Sequence, residues 1–269
     1  MAVLSPQLFV LLGSLVEERA GLHYAPDDRS VFAEKVHARM TEAGFESPLD
    51  YYYFLRYDER GGDELNTLVD ALVVNETYLF REVDALIAAM STVIRPAIAE
   101  RGRARVWSAG CATGEEPFTL AMLCAEEGHL PRVELTATDI SSRALARARA
   151  GQLSGRALRS VGNPPWTKPL ADRFVHEGRM SSAITSAITF QRESLIGTEP
   201  SRNDLDLILC RNVLIYFRDE VVRSVVEMLA ARLRPGGRLL VGASESLLRF
   251  GTFLQCEERG GAFFYVRPG

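Results

Sequence analysis

A chain of 269 residues, 47% hydrophobic and 25% charged, is long enough to bury one large core or two modest ones and is too apolar to stay disordered. Its net charge of −4 argues against a general nucleic-acid or anionic-membrane binder, and no stretch approaches the ~18 apolar residues of a membrane span. The cysteines at 111, 124, 210 and 256 are widely spread with no C-x-x-C pattern, which argues against a zinc site and fits reduced, buried thiols in a cytosolic protein.

Residues 1 to about 72 read as all-helical. The apolar run Leu8 to Val16 has no basic flank and is followed by Glu17-Glu18, so it reads as an amphipathic helix and not a signal peptide. Ser5-Pro6 supplies its N-cap and first residue, and Gly21 its end. Asp27 or Asp28 is expected to cap a second helix, with Val31, Phe32, Val36 and Met40 inward and Arg29, Lys35, His37 and Arg39 outward. Gly44 ends that helix. Ser47-Pro48 starts a third, containing Tyr51, Tyr52, Phe54 and Leu55. Gly61-Gly62 breaks the chain before a fourth helix from Asp63. His23 and His37 read as ordinary histidines. The segment Val74 to Glu82 places Asn75, Thr77 and Arg81 beside Tyr78 and Phe80. That pattern suits the wall of a ligand site, but on composition alone it better fits a capped helix start with a surface arginine. A helix from Asp84 to Ala99 then leads to Gly102.

From Arg103 onward strands and helices alternate, the pattern of an α/β sheet. Val133, Leu135 and Ala137 mark a strand ending at Asp139. A short helix capped by Ser141 or Ser142 follows, running to Gly151. Gly155, Gly162, Asn163-Pro164-Pro165 and Pro169 mark loops. Phe174-Val175-His176, the turn Glu177-Gly178, and Ala187 to Phe190 are expected to form short antiparallel strands of a small insertion. Asp206 to Cys210 is a buried parallel strand by its continuous apolar run, with Arg211-Asn212 at its end. A long helix, Asp219 to Leu233, reaches Arg234-Pro235-Gly236-Gly237. That stretch turns into the strand Arg238 to Val241. Phe253-Leu254 and Ala262 to Val266 read as a closing antiparallel pair.

The most informative stretch is Val106 to Pro117, a strand, a Gly-rich turn and the start of an apolar helix. Such a turn cradles a ligand at the C-terminal end of a parallel strand. It reads G-x-x-x-G, lacks the middle glycine of the dinucleotide fingerprint, and has no Lys-Ser or Lys-Thr of a P-loop. Glu115 and Glu116 occupy the helix end that a phosphate would need, so they repel phosphate and suit a cationic ligand. S-adenosylmethionine (SAM) carries a sulfonium and an ammonium and no phosphate. Asp139, 25 residues past Gly114, is placed to take ribose hydroxyls. The residues taken alone also fit a capping pair of glutamates and a turn aspartate.

Four motifs in order give the chain a specific resemblance: Asn75-x-Thr77-x-x-x-Arg81, Ser108 to Pro117, Ala137-Thr138-Asp139-Ile140, and Cys210 to Phe217; Pro235-Gly236-Gly237 and Ser244-Glu245-Ser246 add to it. The chain resembles the chemotaxis receptor methyltransferase family, CheR, SAM-dependent protein-glutamate O-methyltransferases. The resemblance covers nearly the whole chain. It implies a class I SAM-dependent methyltransferase (Rossmann-like) α/β sheet with an N-terminal all-helical domain and a small inserted β-subdomain. The corresponding divisions are 1–72 for the helical domain, 73–102 for linker helices, and 103–269 for the methyltransferase domain, with the β-subdomain at about 172–192. It further implies that Asn75, Thr77 and Arg81 contact SAM, that Glu116 holds its methionine or sugar part, and that Asp139 holds the ribose. Ser194 and Leu195 would meet the adenine side, Arg211 and Asn212 would close the pocket, and Arg81 and Tyr216 would flank the methyl group as the catalytic pair. No metal is implied.

The implied activity is methylation of glutamates on the cytoplasmic domain of a chemoreceptor, releasing S-adenosylhomocysteine, by a cytoplasmic monomer that inserts in no membrane and binds no nucleic acid. Three departures bear on it. The family has Asn where this chain has Ser194. The second helix is often Arg-rich in the family, whereas here it has only Arg29, Lys35 and Arg39 among Asp27, Asp28 and Glu34, so steering of an acidic substrate should be weaker. The tight Glu177-Gly178 turn and the short segment around it suggest that no receptor tail peptide is added as a strand. A methyltransferase for another protein or small molecule, or a non-catalytic SAM-binding scaffold, remains an alternative reading.

Overall fold

The computed structural model describes residues 4–158, 163–197 and 202–269; Gly162, read above as a loop mark, lies outside them. Four helices form the N-terminal layer: α1 (Pro6–Ala20), α2 (Arg29–Glu42), α3 (Pro48–Tyr57) and α4 (Gly61–Leu72). Ser5 and Ser47 cap α1 and α3 as their sequence contexts predict, their hydroxyls accepting from the amides of Leu8 and Asp50, each at 3.3 Å. The helices bury Leu12, Val16, Phe32, Val36, Tyr51, Leu68 and Leu72 in a core of their own. Each fully buried side chain of this kind contributes roughly 1.5–3 kcal/mol.

Three local expectations change. Val31 is 54% exposed, because a helix turns by 100° per residue and Phe32 takes the inward position. Asp28 accepts from the Ala25 amide at 3.0 Å and so closes a 3-10 turn (Pro26–Asp28) ahead of α2, leaving α2 without a side-chain cap. Gly61-Gly62 does not break the chain but forms the first turn of α4; a Cβ on Gly61 would collide with the Phe54 carbonyl of α3. Arg39 of α2 is held inside this layer. Its guanidinium grips Glu64 through Nε and Nη2 at 2.7 and 2.6 Å, and Tyr51 donates to the same carboxylate at 2.7 Å. Burial and that glutamate push the Tyr51 phenol well above its ordinary pKa.

An irregular link, in which Phe80 (φ 63°) and Glu82 (φ 47°) are left-handed, leads to α5 (Val83–Ala89) and α6 (Arg95–Arg101). These are joined by a π-helical stretch, Met90–Ile94, where a single uniform helix is expected. Pro96 gives the reason, since it cannot donate to the Thr92 carbonyl and its ring needs room there.

The strands are β1 (Ala104–Ala109), β2 (Val133–Asp139), β3 (Val175–His176), β4 (Arg179–Met180), β5 (Ile188–Arg192), β6 (Leu205–Cys210), β7 (Leu233–Val241), β8 (Gln255–Arg259) and β9 (Ala262–Val266). Seven of them form one sheet in the order β5-β2-β1-β6-β7-β9-β8, parallel except for β9. The remaining helices are α7 (Glu115–Glu126), α8 (Ser142–Arg149), α9 (Thr167–Phe174), α10 (Ser182–Thr185) and α11 (Asp219–Arg232). The central strands are apolar on both sides: Val106, Leu207 and Leu209 join one core, and Trp107, Ile208 and Cys210 the other.

The inserted β-unit is smaller than expected. Among the described residues its named strands are β3 and β4, a hairpin whose turn residues Glu177 (φ 51°) and Gly178 (φ 72°) are both left-handed, with Gln152 bridging antiparallel to Arg179 beside it. Ile188–Arg192 is not an antiparallel strand of this unit but runs parallel to β2 as the sheet's edge. Pro235-Gly236-Gly237 lies within β7, at a register shift against β6, and the closing pair begins at Gln255, two residues after Phe253.

Cys111, Cys124 and Cys210 are buried, but Cys256 is exposed, because it lies on the outermost strand. Burial raises the Cys124 thiol to about 12 and those of Cys111 and Cys210 well above the ordinary value. A thiol reagent at neutral pH should therefore label one cysteine in the native protein and four after denaturation. Rapid labelling of two or more native thiols would contradict this arrangement.

Candidate active site

Strands β2 and β6 leave β1 on opposite sides, so the C-terminal ends of β1, β2 and β6 open a crevice at a switch in strand order. The turn after β1 is stitched to β2 by the amides of Gly110 and Cys111, which donate to the Thr138 carbonyl at 2.8 and 2.9 Å. Gly110 has φ 81°, and a Cβ there would lie 2.5 Å from Val213, so only glycine lets the two strand-end loops meet. Asp139 Oδ2 accepts from the Ala112 amide and Oδ1 from the Ser141 amide, both at 2.8 Å. Burial nevertheless pushes this carboxyl upward. Each oxygen keeps a second lone pair, and two acceptors side by side match a vicinal diol.

The two glutamates at the start of α7 have different fates. Glu116 lines the cavity. Glu115 does not: it is buried against the Thr113 hydroxyl at 2.6 Å, and burial raises its pKa. The expected double-acid helix end is therefore a single acid facing the ligand. Glu116 Oε1 accepts from the Ser108 hydroxyl at 2.8 Å and Oε2 from Arg211 Nη1 at 2.9 Å.

Arg211, expected to close the pocket, sits beneath it with 2% of its side chain exposed. Its Nη2 donates to the Arg81 carbonyl at 2.9 Å and to Glu82 at 3.1 Å. Burial pushes Glu82 up, but Arg211, the Ala243 amide and Arg81 together outweigh it and the net pKa is lowered. Asn212 is left-handed (φ 58°) and is held by Glu245, which accepts from the amides of Asn212, Gly242 and Ile215 at 2.6, 2.8 and 3.2 Å. Ser108, Glu82 and Glu245 are the residues that sequence reasoning missed as parts of the site. The Ser244-Glu245-Ser246 motif pointed to Glu245, and the motif Ser108 to Pro117 to Ser108.

Around this frame lies a cavity of about 970 Å³ including its opening. Asn75, Thr77, Arg81, Glu116, Asp139, Ser194, Leu195, Arg211, Asn212 and Tyr216 all line it, so every expected site residue is brought together. Ser194 accepts from the Ile196 amide at 3.2 Å and thereby shapes its own loop. Arg81 stacks 5.8 Å from the Tyr78 ring and spends one N–H on the Glu76 carbonyl at 3.3 Å. No carboxylate lies within ion-pairing distance of it among the described residues. Arg81 and Tyr216 both line the cavity; burial raises the Tyr216 phenol and Arg81 offsets part of that rise. The N-terminal layer closes the cavity from above. The His23 amide donates to the Tyr216 carbonyl at 2.9 Å, and the Tyr24 hydroxyl donates to the Leu72 carbonyl at 2.8 Å.

Residues 7–73 match the CheR methyltransferase all-alpha domain, and residues 75–259 the CheR methyltransferase SAM-binding domain. The chain belongs to the CheR methyltransferase family. It is 28% identical over 260 residues to chemotaxis protein methyltransferase 2 of Vibrio cholerae, covering 93% of this chain and 89% of that one. It is 30% identical over 248 residues to chemotaxis protein methyltransferase 1 of Pseudomonas aeruginosa, covering 89% and 90%. It is 36% identical over 186 residues to the chemotaxis protein methyltransferase of Vibrio parahaemolyticus, covering 66% and 67%.

As a CheR family member the chain is a methyltransferase with SAM as its cofactor. The donor set fits that group: an acid paired to backbone amides at the end of β2, an acid in place of a phosphate site on α7, and a half-buried arginine and tyrosine on another wall. No helix of the described residues is long and apolar enough to cross a membrane.

Proposed function

We propose that this methyltransferase esterifies glutamate side chains on the cytoplasmic helices of a chemoreceptor or similar sensor, yielding glutamyl methyl esters and S-adenosylhomocysteine. The observation that carries the reading is Arg81, a cation that lines the cavity together with Tyr216 and has no carboxylate within ion-pairing distance among the described residues, whereas Arg211, the other cation of the lining, is held by Glu116 and Glu82. It leaves a positive charge for an incoming carboxylate. Bound SAM supplies an electrophilic methyl group on a sulfonium. The chain's own work is to orient and desolvate. A glutamate, ionised at neutral pH with an ordinary pKa near ~4.3, needs no general base. Aligning it for in-line attack is worth up to roughly 7–11 kcal/mol. In this reading Arg81 holds the substrate carboxylate and Tyr216 orients by its hydroxyl. Asp139 takes the ribose and Glu116, fixed by Arg211, the methionine or sugar part. Asn75 and Thr77 contact the cofactor from the link, Ser194 and Leu195 border the adenine, and Asn212 lines the reacting end.

The separate core of α1–α4 supports treating 1–72 as a helical domain, 73–102 as the linker and 103–269 as the catalytic domain. The reading includes a cytoplasmic, monomeric protein. Transfer of labelled methyl from SAM to chemoreceptor cytoplasmic fragments, scored as alkali-released methanol, tests it. Label that disappears when the target glutamates become alanine supports a glutamyl ester. Absence of label on every fragment with cofactor binding intact rejects it in favour of another substrate or a scaffold.

The two-residue strands of the β3–β4 hairpin also support tether-independent action, since they offer a peptide little length to pair with. A receptor-tail peptide titrated to hundreds of micromolar should give no saturable binding; saturation at micromolar concentration would refute this.

A further inference from the structure

The proposed substrate is anionic, yet α2, the helix read as its electrostatic guide, has little free positive charge: Arg39 is consumed by Glu64 and Glu42. Unspent cations lie elsewhere. On α8, Arg143 and Arg147 are exposed and four residues apart, so they share one helical face, and Arg149 follows half a turn on. Arg192 ends the neighbouring strand β5.

Three of these arginines spend an N–H on a backbone carbonyl. Arg143 Nη2 donates to Asp70 at 3.2 Å, Arg149 Nη2 to Phe190 at 2.9 Å, and Arg192 Nε to Ile140 at 3.0 Å. A carbonyl fixes a guanidinium in place without neutralising it. None of the four arginines has a carboxylate within ion-pairing distance among the described residues, whereas Arg101, Arg103 and Arg105 at the opposite end of the sheet are all paired. The nearby acids are engaged elsewhere: Glu115 is buried and bound to Thr113, with Arg147 offsetting part of the rise that burial gives its pKa; Asp139, the register partner of Arg192, accepts from the Ala112 and Ser141 amides; Glu193 is paired with Arg202; and Asp70 offers Arg143 its carbonyl. Lys35 of α2 extends the surface: its ammonium donates to the Leu72 carbonyl at 3.1 Å, and after burial it is the charge of Arg143 that lowers its pKa. The face adjoins the cofactor cavity, because Ile140, held by Arg192, lines the cavity, and so does Val73, next to the residue held by Lys35.

We propose that the arginine face of α8 and the end of β5, continued by Lys35, is the docking surface for an acidic helical segment of the protein substrate. The inference rests on the glutamate-methylating reading above. Guanidiniums at i and i+4 spacing suit carboxylates at helical spacing on the partner, and the unneutralised charge supplies the steering that α2 lacks.

The test compares wild type, R143E/R147E and R147E in methyl transfer to an acidic chemoreceptor fragment across a range of salt concentrations, with S-adenosylhomocysteine affinity measured alongside. The Arg147 side chain makes no hydrogen bond among the described residues, so R147E breaks no side-chain contact, and the S-adenosylhomocysteine affinity reports any effect of its charge on buried Glu115. For R143E/R147E the expected result is a KM for the fragment raised about tenfold or more, with kcat and S-adenosylhomocysteine affinity within about twofold of wild type and a flatter salt dependence. R147E should show the same pattern in smaller measure. An unchanged KM in both variants would overturn the proposal. So would a rise only when Arg143 is changed, since that follows from its bond to α4. Charge-dependent binding of wild type to phosphatidylserine vesicles without any KM effect would assign the face to a membrane instead. If wild type itself esterifies no fragment, the underlying reading of function fails, and that outcome is read from wild type alone.

Discussion

Arg211→Ala should destabilise the protein by about 3–5 kcal/mol and weaken S-adenosylhomocysteine binding at least about tenfold. The guanidinium is almost wholly buried and holds three acceptors from two parts of the chain: Glu116 at the head of α7, and the Arg81 carbonyl and Glu82 in the link. Its removal strands two partly buried carboxylates without a cation, which costs far more than losing a surface pair. The melting temperature should fall by roughly 10 °C for a chain of this size. There is also a pH signature. Glu82 has a lowered pKa in the folded protein, so its contribution is present above the unfolded value and is lost as pH falls through the folded one. The wild-type stability curve should contain that acid-side loss, and Arg211→Ala should lack it. A melting temperature within about 2 °C of wild type, with cofactor affinity intact, would mean that Arg211 is not the clamp the geometry indicates.

What the sequence discloses and what it hides follow the range of each interaction. Helix starts at Ser5-Pro6, Ser47-Pro48 and Ser141 are written in adjacent residues, and so is the β1–turn–α7 unit. The continuous apolar run of Leu205–Cys210 announces a strand buried on both faces. The partner of Ile188–Arg192 is not local, because a short strand of alternating character, Ile-Thr-Phe-Gln-Arg, pairs as readily with a hairpin neighbour as with β2, some fifty residues away. Glu115 and Glu116 are equivalent on paper, yet about 100° of helical rotation sends one to the core and the other to the cavity. The left-handed conformations of Phe80, Glu82, Ala112 and Asn212 carry no glycine to announce them. All four border the cofactor crevice or the link above it, where backbone strain of about 1–3 kcal/mol per residue is sustained by surrounding contacts.

Those contacts explain why the candidate residues converge although their roles could not be ranked from their order in the chain. Glu245 is 33 residues from Asn212, and Glu82 is 129 from Arg211, yet the two carboxylates bind neighbouring amides after β7, Gly242 and Ala243, at 2.8 and 3.3 Å. One carboxylate thereby sets the loop after β6 that carries Asn212 and Tyr216. The other ties the link carrying Arg81 to that loop through Arg211. Arg81 and Tyr216 are thus fixed against each other by carboxylate contacts to Arg211 and to backbone amides, as a positioning mechanism requires.

Arg81→Ala should lower kcat by roughly 10²–10³-fold while leaving S-adenosylhomocysteine affinity within a few-fold of wild type. The side chain contributes one long bond to the Glu76 carbonyl and a stack on Tyr78, so its loss costs little stability. It has no carboxylate within ion-pairing distance among the described residues, and its charge offsets part of the upward push that burial gives the Tyr216 phenol. A substrate glutamate entering the pocket must shed water while remaining ionised, and Arg81 is the cation available to keep it so. Arg81→Lys should recover part of the rate, because it restores the charge but not the planar two-point grip on a carboxylate. A fall in kcat with little change in cofactor affinity would separate this role from that of Arg211, whose replacement should impair cofactor binding and stability together. Near-normal kcat in Arg81→Ala would remove Arg81 from the reacting end and leave it as part of the cavity wall.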